Sequence, residues 1–158
     1  MKTKKILILL VSMLFAICVD ANALIVTPND NEITFQWEQS QEDLANLAGW
    51  RLYWADTETG EYVNVLDEND QPITIAYDPA GAGCTPENPC VATQPFMVGG
   101  PPGGKYAKYF KMTALDKEGY ESELSEPAID ENGQAAVWFH NPLGKPFAVK
   151  VKIQRKNQ

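Results

Sequence analysis

The sequence predicts an all-β chain folded as a two-sheet sandwich, on three observations. Short runs alternate apolar and polar residues with period two: Ile33-Thr34-Phe35-Gln36-Trp37, Trp50-Arg51-Leu52-Tyr53-Trp54 and Phe110-Lys111-Met112-Thr113-Ala114. Such alternation marks strands with one buried face. Turn clusters such as Asp56-Thr57-Glu58-Thr59-Gly60 and Asp116-Lys117-Glu118-Gly119 separate the runs at short spacing, as in sandwiches. Past the N-terminal apolar stretch no segment reads as a strong helix, and no internal repeat is visible.

Residues 1–23 read as a cleaved signal peptide. Lys2, Lys4 and Lys5 form the charged front, residues 6–19 the apolar stretch, and Ala21-Asn22-Ala23 the small-x-small cleavage pattern, so the mature chain is expected to begin at Leu24. The apolar run falls short of the roughly 20 residues of a spanning helix. Cys18 is not placed directly after the cut, as a lipid anchor would require. The expectation is therefore an exported protein, periplasmic or extracellular and cell-surface, with no membrane span after cleavage.

The mature chain then reads strand by strand. Residues 24–26 open it, stopped by Thr27-Pro28-Asn29-Asp30-Asn31. Residues 33–37 form the next strand, and 39–47 a helical turn or an irregular loop. Gly49-Trp50-Arg51-Leu52-Tyr53-Trp54 is a strand with an aromatic inner face, returning as a hairpin through 61–66. Residues 73–77 are β-prone. A long Pro/Gly-rich stretch, 78–104, follows, interrupted by 91–98, and is the least regular part of the chain. Residues 106–115 form another strand, with Phe110, Met112 and Ala114 on one face. Residues 122–129 are expected as the last strand of the sandwich, at an edge because of Pro127. Beyond it, 135–140 and 147–153 are read as a hairpin; Phe147, Val149, Val151 and Ile153 alternate with Ala148, Lys150, Lys152 and Gln154. The expected organisation is thus a signal peptide at 1–23, a sandwich at 24–130 and a C-terminal β-hairpin extension with a basic tail at 131–158.

Cys84 and Cys90 are the two cysteines left after cleavage, flanking Thr85-Pro86-Glu87-Asn88-Pro89. In an oxidising compartment their natural reading is a local disulfide that staples a long loop. Five intervening residues exclude a CxxC redox motif, and a single histidine leaves too few ligands for zinc.

These residues resemble a fibronectin type III domain over about residues 24–129. The resemblance rests on the strand ending in Trp37, on Trp50, Leu52 and Trp54 after Gly49, and on Phe110, Met112, Ala114 and Asp116 followed by Gly119, Ser122 and Ser125. It departs at Lys108, where the family has a Tyr that Tyr106 or Tyr109 would replace, in the long middle segment with the cysteine pair, and in the tail from Glu131. The resemblance implies a fibronectin type III/immunoglobulin-like two-sheet sandwich with a binding or spacer role and no catalytic residues.

Charge narrows the function classes. The mature chain holds 10 basic and 20 acidic residues, which argues against nucleic acid as a partner. From Lys145 onward there are five basic residues and no acid, leaving an acidic body at 24–144. Such a tail can dock on its own domain, meet an acidic neighbour or touch an anionic surface.

No catalytic constellation is read. His140 stands alone among histidines, and the carboxylates cluster in turns. Calcium is a minor possibility at Asp67-Glu68-Asn69-Asp70, Asn29-Asp30-Asn31-Glu32 and Asp130-Glu131-Asn132, none with the spacing of an EF-hand loop; no other cofactor is expected. Trp37, Trp50 and Trp54 read as core. Tyr53 and Tyr120, with Tyr109 and Trp138, are the aromatics expected to be free for stacking on sugar rings. The C-terminal hairpin supplies the candidate interaction surface: Trp138, His140, Phe147, Lys150, Lys152 and Arg155. The functional expectation is a non-catalytic binding or assembly module with a protein partner or self-association. The alternative is a carbohydrate-binding or enzyme-accessory domain.

Overall fold

The computed structural model describes residues 24–80 and 84–144. They form an all-β sandwich of two sheets, without helices. The strands are β1 (Ile25–Val26), β2 (Glu32–Trp37), β3 (Leu47–Ala55), β4 (Val63–Asn64), β5 (Thr74–Ala76), β6 (Cys90–Pro95), β7 (Lys105–Asp116) and β8 (Val137–His140). The larger sheet runs β1-β8-β7-β3-β4, with β5 also on β3; the smaller sheet is β2 paired antiparallel with β6. The signal-peptide expectation and the second hairpin arm at 147–153 lie outside the described residues.

Alternation in the sequence sets which side chains meet between the sheets. Trp50, Leu52 and Trp54 of β3 face inward, as do Phe110, Met112 and Ala114 of β7. Ile33 and Phe35 of β2 oppose them. Two clusters result. One gathers Val26, Ile33, Phe35, Leu52, Val65, Phe96, Phe110 and Phe139. The other gathers Leu47, Trp50 and the Cys84–Cys90 disulfide, with Trp37, Leu44, Tyr77 and Met112 packed against it. Phe35 lies against Phe110 at 5.4 Å between ring centroids, and Trp37 against Trp50 at 4.9 Å. Because Trp50 pairs in register with Ala114, β2 runs in the same sense as β7.

Several local features follow from single residues. Gly49 pairs with Ala76, and a Cβ there would strike the Ile75 carbonyl, so the glycine lets β5 approach β3. β4 and β5 lie along the same edge of β3, separated by a looped-out turn. Leu52 N–H donates to the Ile73 carbonyl, and Val65 N–H donates to the Leu52 carbonyl. Three turns share one design. Asp67, Asp116 and Asp130 each accept, through Oδ1, the N–H groups two and four residues on. The fourth residue of each turn has positive φ: Asp70 at 57°, Gly119 at 93° and Gly133 at 76°.

Two expectations are changed. Residues 122–129 form no strand. Ser122, Ser125 and Ala128 donate N–H to the carbonyls of Ala114, Met112 and Phe110. Three residues of this segment therefore advance against two of β7, a stride a β-ladder cannot hold. The serine hydroxyls repair the mismatch: Ser122 Oγ accepts from Ala114 N–H, and Ser125 Oγ from Met112 N–H. The strand that continues this side of β7 is β8, the first arm of the expected hairpin. It pairs with β7 from Lys105↔His140 to Lys108↔Val137, and with β1 in parallel. Phe139 is 0% exposed, so this arm belongs to the sandwich core.

Candidate functional site

A lateral cleft of about 780 Å³ lies between the end of β2 and the segment 122–128. Its floor is the open side of the core: Phe35, Trp37, Trp50, Phe110, Met112 and Ala114. Its two rims are acidic, with Glu38, Glu42 and Asp43 on one side and Glu123 and Glu126 on the other.

The local sequence explains each wall. Gln39 braces the first. Its Oε1 accepts from Trp50 Nε1 at 3.1 Å, its Nε2 donates to Asp43 Oδ2 at 3.0 Å, and its backbone N–H donates to the Cys84 carbonyl. The disulfide, the tryptophan and the turn over 41–46 are thus fixed to one residue. The second wall is the serine-spaced segment. Its three-residue stride turns Ser122 and Ser125 onto β7 and leaves Glu123 and Glu126 exposed. Trp37 Nε1 is buried and has no acceptor among the described residues.

Among the described residues a strand edge is also unpaired here. Among the described residues β2 pairs with β6 alone. Phe96 N–H donates to the Asn31 carbonyl. In an antiparallel ladder that register aims the peptide groups of Glu32, Thr34 and Gln36 away from β6. Such an edge is a template for a further strand.

A second polar cluster lies on the outer face of the larger sheet. Glu121 accepts from Tyr53 Oη at 2.6 Å and from Thr113 Oγ1 at 2.8 Å, and it pairs with Arg51. Burial alone would raise the Glu121 carboxyl. The hydrogen bonds from Tyr53 and Thr113 and the Arg51 charge outweigh it and hold the group below the usual glutamate range. The Tyr53 phenol is pushed up, by burial first and then by its bond to Glu121. At the other end of the same sheet Lys108 Nζ sits 4.6 Å from the Trp54 ring centroid and 2.6 Å from Asp56 Oδ1. The position where the resemblance expects a Tyr is therefore filled by an aliphatic stem over an aromatic ring.

The sequence-predicted residues are distributed as follows. Cys84 and Cys90 are joined, with Cα atoms 4.5 Å apart. Trp138 and His140 lie in β8 on the face opposite Phe139, with Lys105 Nζ 4.5 Å from the Trp138 ring centroid. Phe147, Lys150, Lys152 and Arg155 lie outside the described residues. Tyr53 is half-buried and bonded to Glu121, whereas Tyr120 is 70% exposed at one end of the cleft. Asp67 and Asp130, from two of the acidic runs, have carboxylates engaged by turn amides. Among the described residues no three His, Cys, Asp or Glu side chains converge as a metal site, and no helix is long and apolar enough to cross a membrane. Sequence reasoning missed the cleft and the Glu121 cluster. The signal for the cleft was present in the triplet spacing Ser122-Glu123-Leu124-Ser125-Glu126-Pro127, which fits neither a helix nor a strand. Comparison with protein-family models, with curated proteins and with solved structures returns no match to this chain.

Proposed function

We propose that this chain is an exported, non-catalytic binding or assembly module on a fibronectin type III-like sandwich, and that the lateral cleft is its binding surface. The carrying observation is the coincidence of an apolar floor, acidic rims and a β2 edge that is unpaired among the described residues. An extended segment with alternating apolar and basic side chains fits all three. Its backbone adds to β2, its apolar side chains cover the floor, and its cations meet the rims. The fibronectin type III-like reading is supported by the strand order: β2 and β6 in one sheet face β3, β7 and β8 in the other. Export is supported by the leader-like features of residues 1–23 and by the disulfide.

The test is titration of an alternating valine–lysine octapeptide, followed by tryptophan fluorescence, since Trp37 and Trp50 line the cleft. Saturable binding that weakens with salt and drops several-fold in Glu123→Gln/Glu126→Gln is the expected result. No saturable response at low or high salt overturns the reading. The second reading, glycan binding, has the exposure of Tyr120 in its favour. Glycan-array binding lost in Tyr120→Ala would replace the first.

A further inference from the structure

We infer that the outer face of the larger sheet is a second binding site, separate from the cleft, and that it takes a polyuronate, an acidic polysaccharide with one carboxylate per sugar.

Charge sets this face apart. The chain carries 21 acidic residues against 13 lysines and arginines. Trp50, Leu52 and Trp54 of β3 and Phe110, Met112 and Ala114 of β7 face the core, so period two turns their neighbours outward. The strand register then brings Arg51, Lys105, Tyr109, Lys111, Trp138 and His140 onto one face. No outward strand position of this sheet is acidic. Glu121 reaches the face from the turn after β7 and is engaged by Arg51, Tyr53 and Thr113.

Two lysines of the face are left without a carboxylate. Lys105 Nζ rests 4.5 Å from the Trp138 ring centroid, and Lys111 Nζ 4.8 Å from that of Tyr62. Neither forms an ion pair among the described residues, although Glu58 lies near Tyr62. Lys108, which points to the other side of β7, is paired with Asp56. A cation resting on an exposed ring is held weakly, and a carboxylate offers it a stronger, charge-assisted bond.

Spacing gives the ligand its shape. Lys105, Ala107, Tyr109 and Lys111 form one row on β7, with steps of about 7 Å and an overall span of about 20 Å. Trp138 stands beside Ala107 on β8. The row therefore presents a cation, a ring, a second ring and a second cation. A pyranose packs its C–H face on an aromatic ring, and a uronate adds a carboxylate for an ammonium. A polyuronate repeats both features along one extended chain. Charge density separates it from other polyanions. The acidic remainder of this chain repels a densely charged strand such as a sulfated glycan or a nucleic acid. One charge per sugar suits two lysines set about 20 Å apart.

The experiment is calorimetric titration of the full mature chain, residues 24–158, with hexamers of galacturonate, mannuronate and guluronate at low salt. Saturable binding of at least one is expected, abolished by methyl esterification, which removes the charge and keeps the ring. Lys105→Gln/Lys111→Gln is expected to weaken it about tenfold, and Tyr109→Leu about fivefold. Tyr120→Ala and Glu123→Gln/Glu126→Gln, which alter the cleft, leave it undiminished. No saturable binding of any hexamer overturns the inference. So does equal binding of the methyl ester, or binding indifferent to the lysine pair. Tighter binding of a sulfated hexasaccharide, indifferent to Tyr109→Leu, assigns the face to charge alone and also overturns it. Should Tyr109→Leu unfold, the lysine pair, which removes no core side chain, carries the test. Failure of the octapeptide to bind removes the cleft reading and leaves this site standing. Failure of the hexamers does the reverse.

Discussion

At one end of the interior, phenylalanines from three strands and the segment after β6 meet: Phe35, Phe96, Phe110 and Phe139 lie within 6.5 Å of one another in successive ring pairs, sealed by Leu52, Val65 and Val26. At the other end Trp37, Trp50 and Tyr77 stack edge to face beside a disulfide, one wall is a braced turn, and the side facing the cleft is open. The closed end holds by burial, as apolar cores do. The open end lacks a full shell of neighbours, so it relies on covalent and directional links: Cys84–Cys90, Trp50 to Gln39, and Gln39 to Asp43. The difference teaches how a small sandwich keeps a recess. It replaces missing packing by cross-links that hold their shape whether or not the recess is filled.

The sharpest way to break this contrast is Phe139→Ala. It removes a fully buried ring from the closed end and is expected to cost about 3–5 kcal/mol in urea unfolding. A cost below about 1 kcal/mol would mean that β8 is not part of the core. The double change Cys84→Ser/Cys90→Ser strikes the open end. Its small loop predicts a loss of about 2–3 kcal/mol, with tryptophan fluorescence reporting a loosened Trp37–Trp50 pair. Equal loosening around Phe110 by hydrogen exchange would refute the separation of the two ends. Gly133→Ala forces a side chain into a left-handed turn position and is expected to cost about 1–2 kcal/mol. The smallest effect concerns acid. Glu121 titrates below its ordinary value of 4.5 when folded. The stability this supplies is therefore fully present above the ordinary glutamate range and lost as the pH falls through the lower, folded value. Glu121→Gln should flatten that part of the acid limb in pH-dependent melting; an unchanged limb would show that the cluster on the outer face is not coupled to folding.

Much of the sandwich was legible because its strands carry period-two alternation with aromatic inner faces. Residues 33–37, 50–54 and 106–115 appear as β2, β3 and β7 with little displacement. The return after Trp54 appears as β4, paired Tyr53↔Asn64. What was not legible is the side of β7 that lines the cleft. The Ser-Glu-x-Ser-Glu-Pro run has the composition of an edge strand but a stride of three, and its satisfaction by hydroxyl groups depends on a neighbour far away in sequence. For the same reason 135–140 read as an appendage. Its role as β8 depends on that segment leaving the lower half of β7 free for pairing. The cleft was hidden because a site made of an absence of pairing has no motif. It becomes visible only once β1 is seen beside β8, leaving β2 with one neighbour among the described residues.

The parallel pairing of β1 with β8 has a consequence in time. Val26 meets Phe139 across more than a hundred residues of chain. A sheet in which β1 pairs with β8 cannot close until β8 has been made. Its contact order is dominated by distant pairs, which slows folding and prolongs the unfolded interval. That delay is built into the topology.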